Sequence, residues 1–425
     1  MVAVIASTRI NINEFSLHHF YKNRLVRCYL GASNSKRRKP NRLTGFDPSD
    51  EFRLASLRPI NDPPYLGPFA LVNATLNLNA GSELAKQERK AASFAFSPTF
   101  CGFLPAASRR DLELVKQKRG EFETSGYVPT LGYSHPDGPE MGTTVAISGA
   151  AANPNMGYHT SGSMAFLLTV FDARLGWWLG NPRWRGPSQY PGPVFAWTYL
   201  IAELLGQTTG RSRFVNLSDG GHFDNLGLYE LVRRRCHYII VGDAEEDAKL
   251  AFESLGGAIR KCRADFGVEI DIDPEPIRIV NGRSGAHCVM GRILYPEGAR
   301  GYLFYLKASL TGDEPSDVTE YHTRFPEFPH QSTADQFFSE SQFESYRALG
   351  RYVVNVICRN YEGSTAARAP YALTFPNVAE FVRQVPIGGR STSGLDHMEV
   401  TTTQGDLQIA HAVGDGVKIR IRPTT

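Results

Sequence analysis

No two of the six cysteines, Cys28, Cys101, Cys236, Cys262, Cys288 and Cys358, stand in a C-x-x-C pair or an ordered framework. They are therefore expected to be reduced and mostly buried thiols, as in an intracellular protein. Long apolar runs are lacking as well, so no segment is expected to cross a bilayer as a helix. The opening Met1-Val2-Ala3-Val4-Ile5-Ala6 has neither a basic start nor an apolar core of signal-peptide length. A cytoplasmic location is the expectation, with peripheral membrane contact left open. Charge of one sign is also scarce: a formal net charge of +3 gives no reason to expect nucleic acid or another polyanion as partner.

What is present describes a globular chain. At 42% hydrophobic and 21% charged residues over 425 positions, it can bury a substantial core. Length allows two domains or one large domain with insertions. Phe69 to Leu78 reads as a strand followed by a turn at Gly81, and the Pro-, Gly- and Arg-rich stretch from Pro182 to Gly192 reads as a loop. His237 to Gly242 has the β-branched content of a buried strand, and Ala248 to Phe266 has helical spacing. His287–Tyr295 and Gly301–Ala308 flank a Pro-Glu-Gly turn as a hairpin. Thr333-Ala334-Asp335-Gln336 has the spacing of a capping box opening a helix through Phe337, Phe343 and Tyr346. Strands and helices in succession predict an α/β sheet.

The most informative segment is Ser218-Asp219-Gly220-Gly221-His222-Phe223-Asp224-Asn225-Leu226-Gly227. The apolar Phe214-Val215-Asn216-Leu217 leads into it, and Leu226 to Arg235 follows with helical spacing. The pattern predicts strand, tight loop, helix. It places the Asp219 carboxylate at the carboxyl end of a strand, where open α/β sheets hold functional groups. The glycine pair is expected to supply positive backbone angles, and the helix to offer free N–H groups and a positive dipole end to an anion. A local alternative stands beside this one: Asp219 and Asn225 as turn and cap residues only.

Asp219-Gly220-Gly221 followed by Asn225-Leu226 resembles the aspartate motif of patatin-like acyl hydrolases, the superfamily that includes the cytosolic phospholipases. The longer string SDGGHFDNLGLYELVRRRC is similar to a bacterial branch of it. A second block, Ala146 to Gly157, is similar to the small-residue stretch that precedes that motif, where the chain packs beside the active site. Read from its residues alone, the same block is equally an Ala-rich core helix ended by Pro154. The resemblance implies a patatin-like mixed sheet flanked by helices over residues 1–358, with a variable tail at 359–425. It implies Asp219 as the base or orienting acid of a Ser–Asp dyad, with Gly220, Gly221 and Asn225 as its supporting motif. It further implies a lipid or phospholipid ester as substrate, and neither cofactor nor metal.

Such a dyad also requires a serine, normally in a G-x-S-x-G elbow, and a glycine-rich oxyanion loop. Neither is found. Ser148 has Ala146 where the first glycine belongs, Ser161 and Ser163 flank Gly162 without the pattern, and Ser391 and Ser393 lack the closing glycine. A carboxylate without an activated nucleophile forms no acyl intermediate. The expectation is a chain carrying the aspartate half of the domain, incomplete at its amino-terminal side and inactive alone. The alternative is a non-catalytic binding module of the same fold.

Other segments carry weaker signals. His222, Asp219, Asp224, His237 and Asp243 include metal-binding side chains but match no ligand spacing, which leaves a metal-dependent hydrolase as a distant alternative. Asp243-Ala244-Glu245-Glu246-Asp247 lacks the glycine of a calcium loop and reads as an acidic helix start. Ser35-Lys36-Arg37-Arg38-Lys39-Pro40 reads as a solvated basic loop, with anionic lipid head groups as the alternative contact. Arg233-Arg234-Arg235 reads as the cationic last turn of a helix. Ala165–Phe171 with Leu175–Gly180, and Pro193–Ile201, combine aromatic and aliphatic residues as core helices or as interfacial segments.

Overall fold

The computed structural model describes residues 12–359, except 15, 35, 62, 81–88, 106–121, 123–124, 157–173, 194, 333–334 and 336, together with short backbone strands between 397 and 421. The chain forms two compact units that divide after Glu230. Both mix helix and sheet, as expected for an α/β chain.

The first unit is built on a six-stranded sheet. Its strands are β1 (Val72–Asn77), β2 (Ala91–Phe96), β3 (Phe100–Phe103), β4 (Tyr127–Pro129), β5 (Trp177–Gly180) and β6 (Phe214–Ser218). Their spatial order is β4-β3-β2-β1-β6-β5, and every neighbouring pair is antiparallel. Side chains alternate between faces along a strand, and β1 and β6 use this fully. Ala74, Leu76, Val215 and Leu217 join Phe94, Phe96, Phe103, Tyr133 and Ile147 in one apolar core. The intervening Thr75, Asn77, Asn216 and Ser218 are equally buried, but they carry polar atoms that bond one another and the turn beyond β6. Burying each large apolar side chain contributes ~1.5–3 kcal/mol, which fixes the register and so places those polar groups.

Around this sheet lie α1 (His18–Leu25), α2 (Met141–Ser148) and α3 (Ala196–Leu204). After β6 come α4 (Gly221–Asp224) and α5 (Leu228–Arg233). Gly227, at φ +67°, separates these two, so the expected loop contains one helical turn and the expected helix follows it from Leu228. Asp224 organises the break by accepting from the Leu226 and Tyr229 N–H groups.

The second unit holds a four-stranded sheet in the order β7-β12-β11-β8: β7 (Tyr238–Asp243), β8 (Glu269–Asp271), β11 (Cys288–Leu294) and β12 (Arg300–Lys307). The two-stranded ladder β9 (Ile279–Val280) and β10 (Arg283–Ser284) lies between β8 and β11 in the chain. The predicted hairpin is the antiparallel β11/β12 pair, and β7 runs parallel to β12. Helices α6 (Glu253–Phe266), α7 (Ser316–Arg324) and α8 (Glu340–Arg359) complete the unit.

Helix α8 begins later than the capping-box spacing indicated. Ser339 is its cap, with its Oγ accepting from the Gln342 N–H at 3.2 Å, while Phe337 is exposed. Thr333, Ala334 and Gln336 lie outside the described residues. The backbone at His397–Thr402, Gly405–Ala410 and Arg420–Ile421 forms a small antiparallel sheet.

Among the described residues, no helix is long and apolar enough to cross a membrane. Cys101, Cys262 and Cys288 are buried free thiols, whereas Cys28 is exposed. Burial pushes the thiols of Cys101 and Cys288 up to about 12, so neither is a nucleophile near neutrality.

Candidate active site

Asp219 follows the last residue of β6, and the chain turns immediately. Its Oδ1 accepts from the Gly221 N–H at 2.7 Å, a local bond that closes the turn. The two glycines are required for space rather than for backbone angle. Gly220 has φ −57°, and a Cβ there would sit 2.7 Å from the Asn73 carbonyl oxygen. A Cβ on Gly221 would meet Asn225 Oδ1 at 2.7 Å and Asp219 Oδ1 at 3.1 Å. Asn225 therefore packs against the turn, as part of one tight assembly with Asp219 and Gly221.

The helix after the turn offers no anion site. Helix α4 is a single turn whose N–H groups are already used: His222 N–H donates to Asp219 O, and the Phe223 and Asp224 N–H groups donate to Gly220 O. At the start of the predicted helix, the Leu226 and Tyr229 N–H groups are taken by Asp224.

The Ala-rich block does pack against the turn. Asp219 N–H donates to Ala150 O at 3.3 Å, and Gly220 N–H donates to Ser148 O at 2.9 Å. Ser148 ends α2, and its Oγ donates to Asn73 O at 2.6 Å. That serine stands beside the motif with its proton committed to a backbone carbonyl. Ser161, Ser163, Ser391, Ser393 and Gly157 lie outside the described residues.

Burial raises the Asp219 carboxyl above the usual aspartate range, against the lowering effect of the Gly221 N–H. No cation lies within ion-pair reach of it among the described residues. From the other side comes Tyr21 of α1, far from Asp219 in the chain and marked by no motif. Its hydroxyl lies where a Cβ on Gly149 would be 2.4 Å away. Burial, and next the Asp219 charge, raise its phenol above the usual tyrosine range.

Beneath the turn runs a buried polar chain. Arg174 faces Glu203 of α3 at 3.7 Å, and Asn216 Nδ2 donates to Glu203 Oε1 at 2.7 Å. Asn216 Oδ1 accepts from Asn77 Nδ2 at 2.7 Å and from Asn153 Nδ2 at 3.1 Å. Asn77 Nδ2 also donates to Ser218 Oγ at 3.1 Å, and Ser218 Oγ lies 3.0 Å from His222 Nδ1. Thr75 Oγ1 donates to Gly220 O at 3.3 Å. Thus β1 and β6 hold the turn from below through side chains on a single face. The signal was present in the sequence as polar residues at alternate positions of an apolar strand, Asn216 and Ser218.

Most side chains of the metal alternative are engaged within their own units. Asp219 and Asp224 accept from backbone N–H groups, His222 bonds Ser218, and Asp243 belongs to a different arrangement in the second unit. There Asp243 accepts from Lys307 Nζ at 2.9 Å and from the Tyr305 hydroxyl. Asp247 and Glu245 stand 3.8 and 3.9 Å from the same ammonium. The acidic run 243–247 therefore neutralises a buried lysine instead of opening α6, which begins at Glu253. Among the described residues the one grouping close enough to share an ion is His287, Asp313 and Glu314. Its Glu314 carboxylate accepts from the Thr311 and Gly312 N–H groups of its own turn.

The basic run is a largely exposed loop, held where Arg38 pairs with Asp50 at 2.8 Å and donates to Gly45 O, and where the Lys39 N–H donates to Asp47. Trp177 and Trp178 are buried in β5, which makes that segment core rather than interface; Ala165–Phe171 lies outside the described residues.

No family model matches the chain, and no curated protein matches it. Among solved structures, human GIVD cytosolic phospholipase A2 is similar over 83% of this chain and 52% of its own, at 12% identity and a TM-score of 0.37. The chain thus spans about half the length of that protein. A likeness at this level shows neither family nor chemistry.

Proposed function

We propose that this chain supplies the carboxylate side of a lipid acyl hydrolase site of the patatin type. Asp219 takes or directs the proton of a serine as that serine attacks an ester carbonyl. The supporting observation is the state of Asp219 itself: half-buried at a strand end, held by one backbone N–H, without a counter-ion, and raised in pKa by burial. A carboxylate kept only for the turn would need none of this isolation, and a base gains from it, because a raised pKa strengthens its pull on a proton. The two blocks that carry the resemblance, 146–157 and 218–227, meet through backbone hydrogen bonds from Asp219 and Gly220 to Ala150 and Ser148.

The 425 residues contain no G-x-S-x-G, so the chain by itself is expected to form no acyl intermediate. The substrate is a lipid ester, the reaction its hydrolysis to a fatty acid and an alcohol, and no cofactor takes part.

The test is to read the coding DNA in frame ahead of Met1 for a glycine-rich loop and a G-x-S-x-G, and to assay the polypeptide that frame encodes. The reading expects a fluorophosphonate to label the elbow serine and Asp219→Asn to abolish ester hydrolysis without unfolding the protein. Hydrolysis that survives Asp219→Asn overturns it. A frame that supplies no such serine, with no turnover on any lipid ester, leaves the non-catalytic binding module.

A further inference from the structure

We infer that His287, Asp313 and Glu314 form a binding site for one divalent first-row transition ion, zinc by its donor set, which acts as a structural ion of the second unit. His287 stands directly before β11, and Asp313 and Glu314 belong to the loop that joins β12 to α7. One ligand atom from each lies within 4.8 Å of the others. Bonds of about 2.0–2.2 Å set the donors around zinc roughly 3–3.5 Å apart. His287 Nε2 is already 3.8 Å from Glu314 Oε1.

The protons present do not satisfy these atoms. Thr311 Oγ1 sits among them, 3.1 Å from His287 Nε2, 2.5 Å from Asp313 Oδ1 and 3.2 Å from Glu314 Oε1. One hydroxyl proton thus faces three acceptors, and the Asp313 carboxylate, nearest and charged, takes it. On the far side of the ring, His287 Nδ1 lies 2.9 Å from Ser309 Oγ, whose own proton is directed at the Ala286 and Lys307 carbonyls. The ring also donates to the Ser309 backbone. These acceptors hold the ring proton on Nδ1, the arrangement by which an outer partner fixes a metal-ligating histidine. The Nε2 lone pair, on a side chain 4% exposed, is left facing oxygen lone pairs without a donor. A buried acceptor so placed is costly unless a cation meets it.

Charge agrees. Among the described residues His287 itself is the one basic group within ion-pair reach of either carboxylate; the Arg283 guanidinium packs against Gly312 and pairs with neither. Imidazole with carboxylates and a hydroxyl suits zinc and its neighbours, whereas magnesium and calcium take oxygen ligands. Glu314 Oε1 accepts from the Thr311 N–H at 2.5 Å and Oε2 from the Gly312 N–H at 2.9 Å. Those bonds aim the carboxylate and leave each oxygen a second lone pair. The ion enters beside Asp313, the exposed member. Once bound, it ties the start of β11 to the loop before α7, and to α8 through the Tyr352 hydroxyl, which donates to Asp313 O at 2.8 Å.

The inference is independent of Asp219 and of hydrolysis, and so is its test. The full chain, without a histidine tag, is stripped with EDTA and titrated calorimetrically with zinc alone, and its metal content is read after dialysis. One equivalent of zinc is expected, undisplaced by an equal concentration of magnesium or calcium, together with a higher thermal midpoint. Asp313→Asn and Glu314→Gln should each weaken zinc binding at least about tenfold, and zinc should no longer raise their midpoints. Asp313 is at the surface, so an unaltered circular dichroism spectrum is expected for Asp313→Asn, which keeps the test valid should His287→Gln fail to fold.

Absence of bound zinc, or binding that neither carboxylate variant weakens, overturns the inference and leaves a hydrogen-bonded turn. Displacement by calcium or magnesium at equal concentration overturns it as well, by removing the imidazole from the ligand set. Zinc that binds without raising the midpoint overturns the structural role.

Discussion

Replacing Asn216 by alanine tests whether the buried polar chain holds the Asp219 turn. Asn216 is 1% exposed and serves three partners at once, giving a hydrogen bond to Glu203 Oε1 and taking one each from Asn77 Nδ2 and Asn153 Nδ2. The alanine removes one partner from a buried carboxylate and from two buried amides. Each loss costs ~1–3 kcal/mol, and the low end for all three gives roughly 3 kcal/mol, before any cavity cost. Asn216 pairs with Trp178 across the β5/β6 ladder, so urea unfolding followed by tryptophan fluorescence reads the unit directly. Asn216→Asp is an informative companion, because it keeps the acceptor for both amides but sets a second carboxylate against Glu203. It should destabilise near neutrality and recover in acid as one carboxyl protonates. An Asn216→Ala loss under about 1 kcal/mol would show that the chain carries little of the stability, and would refute the reasoning.

Other consequences are equally concrete. Lys307→Met leaves Asp243, Asp247 and Glu245 facing one another without their buried cation and should cost about 3–5 kcal/mol in denaturant unfolding, with part of it restored by Asp243→Asn. Gly220→Ala drives a Cβ to 2.7 Å from the Asn73 carbonyl oxygen and should cost about 1–3 kcal/mol, whereas Gly282→Ala, at φ +81° with open space, tests backbone conformation alone. For pH, the Asp219 carboxyl is raised in the folded chain. Its contribution to stability is therefore complete below the ordinary aspartate range and is lost as pH rises through the raised value. Asp219→Asn keeps an acceptor for the Gly221 N–H and should remove that fall, so that the variant gains on the parent from mildly acidic to neutral pH in urea midpoints.

Much of the architecture was legible because it depends on local periodicity. The strand leading into Asp219, the β11/β12 hairpin and the strand β7 all carry apolar or β-branched runs bounded by turn residues, and each appears close to its expected place. Strand β5 was not legible, because Trp177-Trp178-Leu179 is apolar without alternation and reads as a core helix, with an interfacial segment as the alternative. Its burial follows from pairing with β6, a long-range fact. The glycine pair suggests positive φ, but close approach of Asn73 and Asn225 is what excludes a side chain there. Tyr21 had no signal, since only the tertiary fold brings α1 to the turn. Ser339 did have one, in Ser339-Glu340-Ser341-Gln342, but the similar spacing at Thr333 masked it. Helix α3 shows the opposite case, a segment whose apolar content was plain while its division into an inward and an outward side was not.

The proposed role of Asp219 requires a lone, desolvated carboxylate. Its titration, followed by the 13C shift of the side-chain carboxyl in the folded chain, measures this directly. The account predicts a midpoint above the ordinary aspartate value of 3.8. A midpoint at or below that value, as for an ion-paired or fully hydrated aspartate, would contradict it.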